Sequence, residues 1–248
     1  MVPAILRSTG YRSRVGKGRG GVGRRERGAL DPEDVRLAIY GHLAKTGRAP
    51  DPRSLAAHFG VRKRDIRDAI DALATARHVV LDDRGRIVMA HPFATVPLGF
   101  SVMGARTLWW GGCAWDAFAL PALLPNEPSV LVATTCPACG MGHAWNVNRL
   151  GPPGGLQVAH FLVPMAHVWD DVLHACSNQR IFCSEECVDQ WLAVTGNQQG
   201  AVMDLATLWR LARHWYDGRL ERDYRRRDPK TAAAYFHEVG LTGPFWGN

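Results

Sequence analysis

The chain has 248 residues, enough for one large domain or two smaller ones, and its 46% hydrophobic content with nine tryptophans excludes a wholly disordered protein. A formal charge of +7 and a pI near 9.4 invite a nucleic-acid partner. Of the 30 basic and 23 acidic residues, however, Arg7, Arg12, Arg14, Lys17, Arg19, Arg24, Arg25, Arg27 and, on the acidic side, Glu26 alone fall in residues 1–30, so the rest carries 22 of each sign and is neutral.

In chain order, residues 1–30 read as a Gly/Arg-rich tail that cannot bury a core and is expected to be disordered, touching phosphate only weakly. Met1–Leu6 is too short for a secretory apolar region, and no run approaches the ~18 apolar residues of a membrane span, so the expectation is a cytoplasmic protein without a membrane partner. Residues 31–91 follow the order of a winged helix-turn-helix domain. Asp31-Pro32-Glu33-Asp34 opens a helix whose apolar stripe is Val35, Ile39 and Leu43 and which ends near Gly47. A short helix over Pro52–His58 turns at Phe59-Gly60, and a third helix over Arg64–Ala76 carries Ile66, Ala69, Ile70 and Leu73 on one side. Strands His78–Leu81 and Arg86–Ala90 then flank the hairpin signal Asp82-Asp83-Arg84-Gly85. Arg62, Lys63, Arg64 and Arg67 at the head of the third helix could meet phosphate, but Asp65, Asp68 and Asp71 interleave with them, the pattern of a solvated face.

Pro92 to Pro97 reads as a linker, and residues 98–248 as a second, mixed α/β domain, an α+β chain overall. Phe100–Val102 and Thr107–Trp110 read as strands, and Ala114–Leu124 as a helix broken or kinked at Pro121. Further strands are expected at Ser129–Thr134 and Leu156–Val163, the latter after the loop Leu150–Gly155. Helices are expected at Ser184–Val194 and Asp204–Tyr216, where Leu205, Leu208, Trp209, Ala212 and Trp215 keep helical spacing.

The six cysteines divide as four plus two. Cys136-Pro-Ala-Cys139-Gly140 has the spacing of a zinc knuckle, and Phe182-Cys183-Ser-Glu-Glu-Cys187 places a second pair in the first turn of a helix. Knuckle, strands and ligand-bearing helix follow the order of a treble-clef finger, so Cys136, Cys139, Cys183 and Cys187 are expected to hold a structural zinc ion; small buried core thiols are the alternative. Cys113 and Cys176 remain. Asp116 lies three residues after Cys113, on the same face if the segment is helical. Gly111-Gly112 is expected to let the backbone bend before Cys113, and a helix N-terminus to lower the pKa of its thiol. His143, His160, His167 and His174 form no ligand spacing and read as surface or core residues.

Trp110-Gly-Gly-Cys113-Ala-Trp-Asp116-Ala-Phe-Ala-Leu-Pro121 resembles the first catalytic segment of the organomercurial (alkylmercury) lyases. Phe161-Leu-Val-Pro164 and Asp171–Phe182 resemble the segment bearing that family's second catalytic cysteine, and the likeness runs through the N-terminal helices and the closing Val239–Trp246, about residues 31–246. It implies Cys113 and Cys176 as mercury-binding thiols and Asp116 as proton carrier. The implied reaction is protonolysis of carbon–mercury bonds without an organic cofactor, with mercury(II) as bound product passed to cellular thiols or a mercuric reductase, and with a winged-helix domain that packs against the catalytic domain and needs no nucleic acid. The chain departs from the family in its cysteine pairs, of which only Cys136 has an evident counterpart. Two other readings remain: a metal-responsive winged-helix DNA-binding regulator, and a lyase-fold enzyme acting on another soft-metal or carbon–heteroatom bond in a biosynthetic pathway.

Overall fold

The computed structural model describes residues 30–248, so the basic tail read from the sequence lies outside the described residues. Three helices come first. In α1 (Pro32–Thr46), Asp31 accepts from the Glu33 N–H at 2.9 Å and Gly47 closes the helix at φ 69°, a left-handed conformation suited to glycine. A side chain at Gly47 would also strike the Leu108 carbonyl, so this helix end lies flush against the strand it meets. α2 (Pro52–Phe59) and α3 (Lys63–Thr75) follow, α3 burying Ile66, Ala69, Ile70 and Leu73 as its spacing predicts. At its head, Asp65 accepts from the Arg62 N–H at 3.1 Å and pairs with the Arg62 guanidinium.

A hairpin of β1 (Val80–Leu81) and β2 (Ile87–Ala90) comes next, with register Val80↔Met89 and Leu81↔Ile87. It is the start of a larger sheet. The stretch expected to be a linker contains β3 (Phe93–Ala94), which pairs with β2 on one side and β5 (Leu108–Gly111) on the other. With β4 (Phe100–Met103), β6 (Ser129–Thr135) and β7 (Gly142–Asn148), these strands form one antiparallel sheet in the order β1-β2-β3-β5-β4-β6-β7. The linker expectation is corrected because Phe93 and Ala94 are fully buried, and their backbone groups must find partners in the sheet. One row of cross-strand partners, Trp109↔Val102↔Val132↔Trp145, runs across β5, β4, β6 and β7 and is buried throughout.

Over this row lies α4 (Ala114–Leu123), whose residues from Ala114 to Pro121 are all buried. A helix apolar on every side belongs inside a protein. It is continuous through Pro121, against the expected break. The proline sits in the last turn, and Arg149 ties that end by donating from Nε to the Pro121 carbonyl at 2.5 Å and from a terminal nitrogen to the Leu124 carbonyl. A second antiparallel sheet, ordered β10-β8-β9, combines β8 (Val158–Phe161), β9 (Gln179–Phe182) and β10 (Ala201–Asp204). Helices α5 (Val172–Ser177), α6 (Glu185–Thr195), α7 (Leu205–Arg213) and α8 (Pro229–Glu238) complete the mixed α/β architecture, with α7 packed on α4. Among the described residues no helix is long and apolar enough to cross a membrane.

The N-terminal helices are sewn into the rest. Buried Arg36 pairs with Glu33 at 2.7 Å and donates to the carbonyls of Arg219 at 2.7 Å and Glu221 at 2.5 Å. The Trp109 indole donates to the Leu43 and Ala44 carbonyls at the C-terminal end of α1, at 3.0 and 3.1 Å.

Candidate active site

Cys113 and Asp116 stand at the entry of α4 because that is where the chain leaves β5. Cys113 is the N-cap residue, and its Sγ accepts from the Asp116 N–H at 3.4 Å. The two preceding glycines do not turn the chain through a left-handed conformation. They make room: a Cβ at Gly112 would collide with the Asp116 carboxylate, and one at Gly111 would sit 2.8 Å from the Ala117 Cβ. Cys176 comes from α5, which Asp171 caps by accepting from the His174 N–H at 3.0 Å. All three groups are buried, Cys113 and Cys176 at 2% exposure and Asp116 at 1%, and each thiol acts on the ionisation of the other.

Three further residues complete the centre, none of them legible in sequence spacing. His91, between β2 and β3, brings its Nε2 to 3.4 Å from the Cys176 Sγ and 3.9 Å from the Asp116 Oδ2. Tyr216, just beyond α7, donates its hydroxyl to the Asp116 Oδ1. Buried Arg219 donates from Nε to the Tyr40 hydroxyl at 3.1 Å and to the His91 carbonyl at 3.2 Å, with its guanidinium over the Tyr40 and Tyr224 rings. The other carboxylate oxygen, Asp116 Oδ2, is buried and has no hydrogen-bond partner.

Burial dominates the electrostatics. It raises the Asp116 pKa to about 6, against the opposing pull of Tyr216, Cys113 and Arg219. It pushes the Cys113 thiol well above its ordinary value, and the neighbouring Cys176 and Asp116 push it further. The expected lowering at a helix N-terminus is thus overturned: one backbone N–H does not outweigh desolvation and a nearby carboxylate. In Cys176 the hydrogen bond with Cys113 favours ionisation, but burial and Asp116 leave it raised. Burial, with Arg219 and Arg226, holds His91 neutral with a pKa of about 3. Chemically, the centre is a pair of protonated soft ligands beside a carboxyl group poised to exchange a proton near neutral pH.

These shifts carry a stability prediction. The folded-state pKa values of His91 (about 3), His160 and His78 (about 4 each), all depressed by burial, mean that the unfolded chain takes up protons below pH 6.5 that the folded chain refuses. Their contribution is present above pH 6.5 and lost as pH falls towards 4. Asp116 acts oppositely, since its proton is held to about pH 6 in the fold. Three groups against one give net acid destabilisation between pH 6.5 and 4. Each contributes at most about 1.4 kcal/mol per pH unit, and half-buried His78 less because solvent screens it. Urea midpoints at pH 6.5, 5.5 and 4.5 should fall in that order, and a midpoint that rises on acidification would contradict the assignment.

The remaining four cysteines meet elsewhere. The Sγ atoms of Cys136, Cys139, Cys183 and Cys187 all lie within 4.8 Å of one another. The first pair rides the turn between β6 and β7, where Gly140, at φ 75°, donates its N–H to the Cys136 carbonyl at 2.9 Å. The second pair flanks the start of α6. Burial works against a Cys136 thiolate, but the N–H groups of Cys139, Cys183 and Ala138 prevail and bring it to about 7. Desolvation and the neighbouring sulfurs drive Cys183 up to about 12. So close a group of sulfurs can ionise together only around a cation, and the donor set suits a soft or borderline one. His143, read from the sequence as an ordinary surface or core residue, brings its Nε2 to 3.3 Å from the Cys183 Sγ. His160 is a core residue whose Nε2 accepts from the Gly200 N–H, while His167 and His174 bond locally to Asp170 and Asn178.

Two buried thiols and a carboxyl group thus meet on a mixed α/β scaffold, a donor set whose chemistry suits a soft metal. The chain belongs to the alkylmercury lyase family, carbon–mercury lyases, whose model matches residues 93–217, half its length and the part that holds Cys113, Asp116 and Cys176. Its fold is similar to that in the crystal structure of the mercury-bound form of MerB2, with a TM-score of 0.58 and 19% identity over 77% of this chain and 91% of that one. A comparison with curated proteins gives no match.

Proposed function

We propose that the protein cleaves carbon–mercury bonds by protonolysis, with Cys113 and Cys176 as the mercury-binding thiols and Asp116 as the proton carrier. The observation that carries this reading is the burial, side by side, of two thiols and a carboxyl group whose pKa lies near 6. An R–Hg⁺ species forms two S–Hg bonds as the two thiols give up their protons, one of which passes to the Asp116 carboxylate. The thiolates donate electron density through mercury to the carbon. Asp116 then delivers its proton to that carbon as the C–Hg bond breaks. The balance is R–Hg⁺ plus two thiols giving R–H, a bis-thiolate mercury(II) and one released proton. Tyr216 holds one carboxylate oxygen and leaves the other free to face the thiols. Cellular thiols or a mercuric reductase would take the metal onward, in a cytoplasmic setting. Purified protein with excess thiol and phenylmercury should release benzene, read by headspace gas chromatography, and release no greater than with thiol alone would sink the proposal.

We further read the four-cysteine cluster as a structural zinc site of treble-clef type, and residues 31–91 as a winged-helix domain joined to the catalytic part, residues 98–248. The donor chemistry and the paired spacing support the first reading. The order α1-α2-α3-β1-β2 supports the second. Two observations favour a packing role for that domain over DNA readout. Arg62 and Arg64, at the head of α3, are engaged by Asp65 at 2.9 and 3.6 Å, and Trp109 and Arg36 bind the domain to the catalytic core.

A further inference from the structure

We propose that His91 is a third, nitrogen ligand to the mercury ion held between Cys113 and Cys176, a role that rests on the function proposed above. The imidazole is aimed at the reacting centre. Its Nε2 lies 3.4 Å from the Cys176 Sγ and 3.9 Å from the Asp116 Oδ2, the buried oxygen that lacks a hydrogen-bond partner. These three donor atoms lie within 4.8 Å of one another. In a tetrahedral zinc site, with sulfur at about 2.3 Å and nitrogen at about 2.1 Å, two such donors stand roughly 3.6 Å apart; the larger mercury ion needs a somewhat wider gap, which a small shift of either side chain supplies.

The ring is braced for this task from two sides. Arg219 fixes its backbone through the His91 carbonyl at 3.2 Å. The ring meets Trp169 in a tilted contact, centroids 5.7 Å apart, and Trp169 is itself covered by the guanidinium groups of Arg77 and Arg226 at 5.5 and 4.4 Å. The chemical consequence is direct. Two thiolates alone satisfy mercury(II) in a line, whereas a nitrogen from the side bends that arrangement and adds electron density to the metal as its bond to carbon breaks. Asp116 is thereby relieved of coordination and free to carry the proton.

The test uses the full chain labelled with ¹⁵N-histidine and loaded with two equivalents of mercury(II), so that the four-cysteine cluster is filled as well. Imidazole nitrogens are followed by NMR for splitting by the spin-½ isotope ¹⁹⁹Hg. One split resonance should disappear in His91→Gln and persist in His143→Gln, the variant at the other cluster. If His91→Gln does not fold, the resonance is assigned in the wild type by its through-space contacts with the Trp169 ring. In the folded variant, transfer of mercury(II) to glutathione should be faster by at least about tenfold, as expected on loss of a metal-site partner. A wild-type His91 nitrogen without mercury coupling overturns the proposal. Benzene release with no coupling rejects the ligand role alone, while coupling without benzene release rejects the lyase reading and leaves the ligand in place.

Discussion

Asp116→Asn should release benzene from phenylmercury at least about 10²-fold more slowly than the parent, because a positioned general acid typically contributes 10²–10⁴-fold. The asparagine keeps the shape of the side chain and can still accept from Tyr216, so the folded centre should survive. What it removes is the buried carboxyl group that lies beside Cys176 and, at the start of the same helix, three residues from Cys113. Mercury(II) binding through two sulfurs should therefore persist, seen as the ultraviolet thiolate-to-mercury absorption, while proton delivery fails. A variant with turnover within a few fold of the parent would make Asp116 a packing residue and move the proton source to Tyr216 or water. The slow step should also acquire a larger solvent isotope effect if water has to replace the carboxyl proton.

The second large effect concerns the four-cysteine cluster. Metal analysis should find about one zinc per chain, and a Cys136→Ser/Cys183→Ser variant should lose it together with the fold of the surrounding segment. Apparent binding free energies of structural zinc in small domains are on the order of 10–16 kcal/mol, comparable to the whole stability of a typical domain, about 5–15 kcal/mol. The core around this cluster is small, with Cys136, Phe182, Val188 and Leu192 as its buried members, and has little else to hold it. Circular dichroism of the double variant should show lost structure and a lower melting temperature. Full zinc occupancy in that variant, or none in the parent, would reject the site.

Most of the local structure was legible because the signals are local. The apolar spacing on α3 and α7, the Asp82–Gly85 turn and the β-branched run of β6 each report their own element. The two cysteine pairs were legible in the same way, and their convergence follows from the topology that sets the β6–β7 turn beside the start of α6. Cys113 and Cys176 stood out as the thiols left over from the two pairs, and Asp116 by its spacing from Cys113, but their roles and the meeting of Cys176 with the other two came only through family resemblance, since Cys176 lies 60 positions beyond Asp116. His91, Tyr216 and Arg219 left no signal at all. Each is a single polar residue whose meaning arises from tertiary placement, as Tyr216 shows by reaching across 100 positions to Asp116. β3 was hidden because two residues between prolines look like a linker until a neighbouring strand pairs with them. Pro121 misled for the converse reason: proline breaks a helix interior, but in a last turn there is little helix left to break.

Arg36 and Arg219 have a consequence for how this protein could have been assembled. The Arg36 guanidinium holds the carbonyls of residues 219 and 221, and Arg219 in turn holds Tyr40 of α1 and the carbonyl of His91. A chain of buried contacts thus leads from the first helix to the wall of the reactive centre. The helical module is consequently no interchangeable cassette that recombination could trade for another of the same shape.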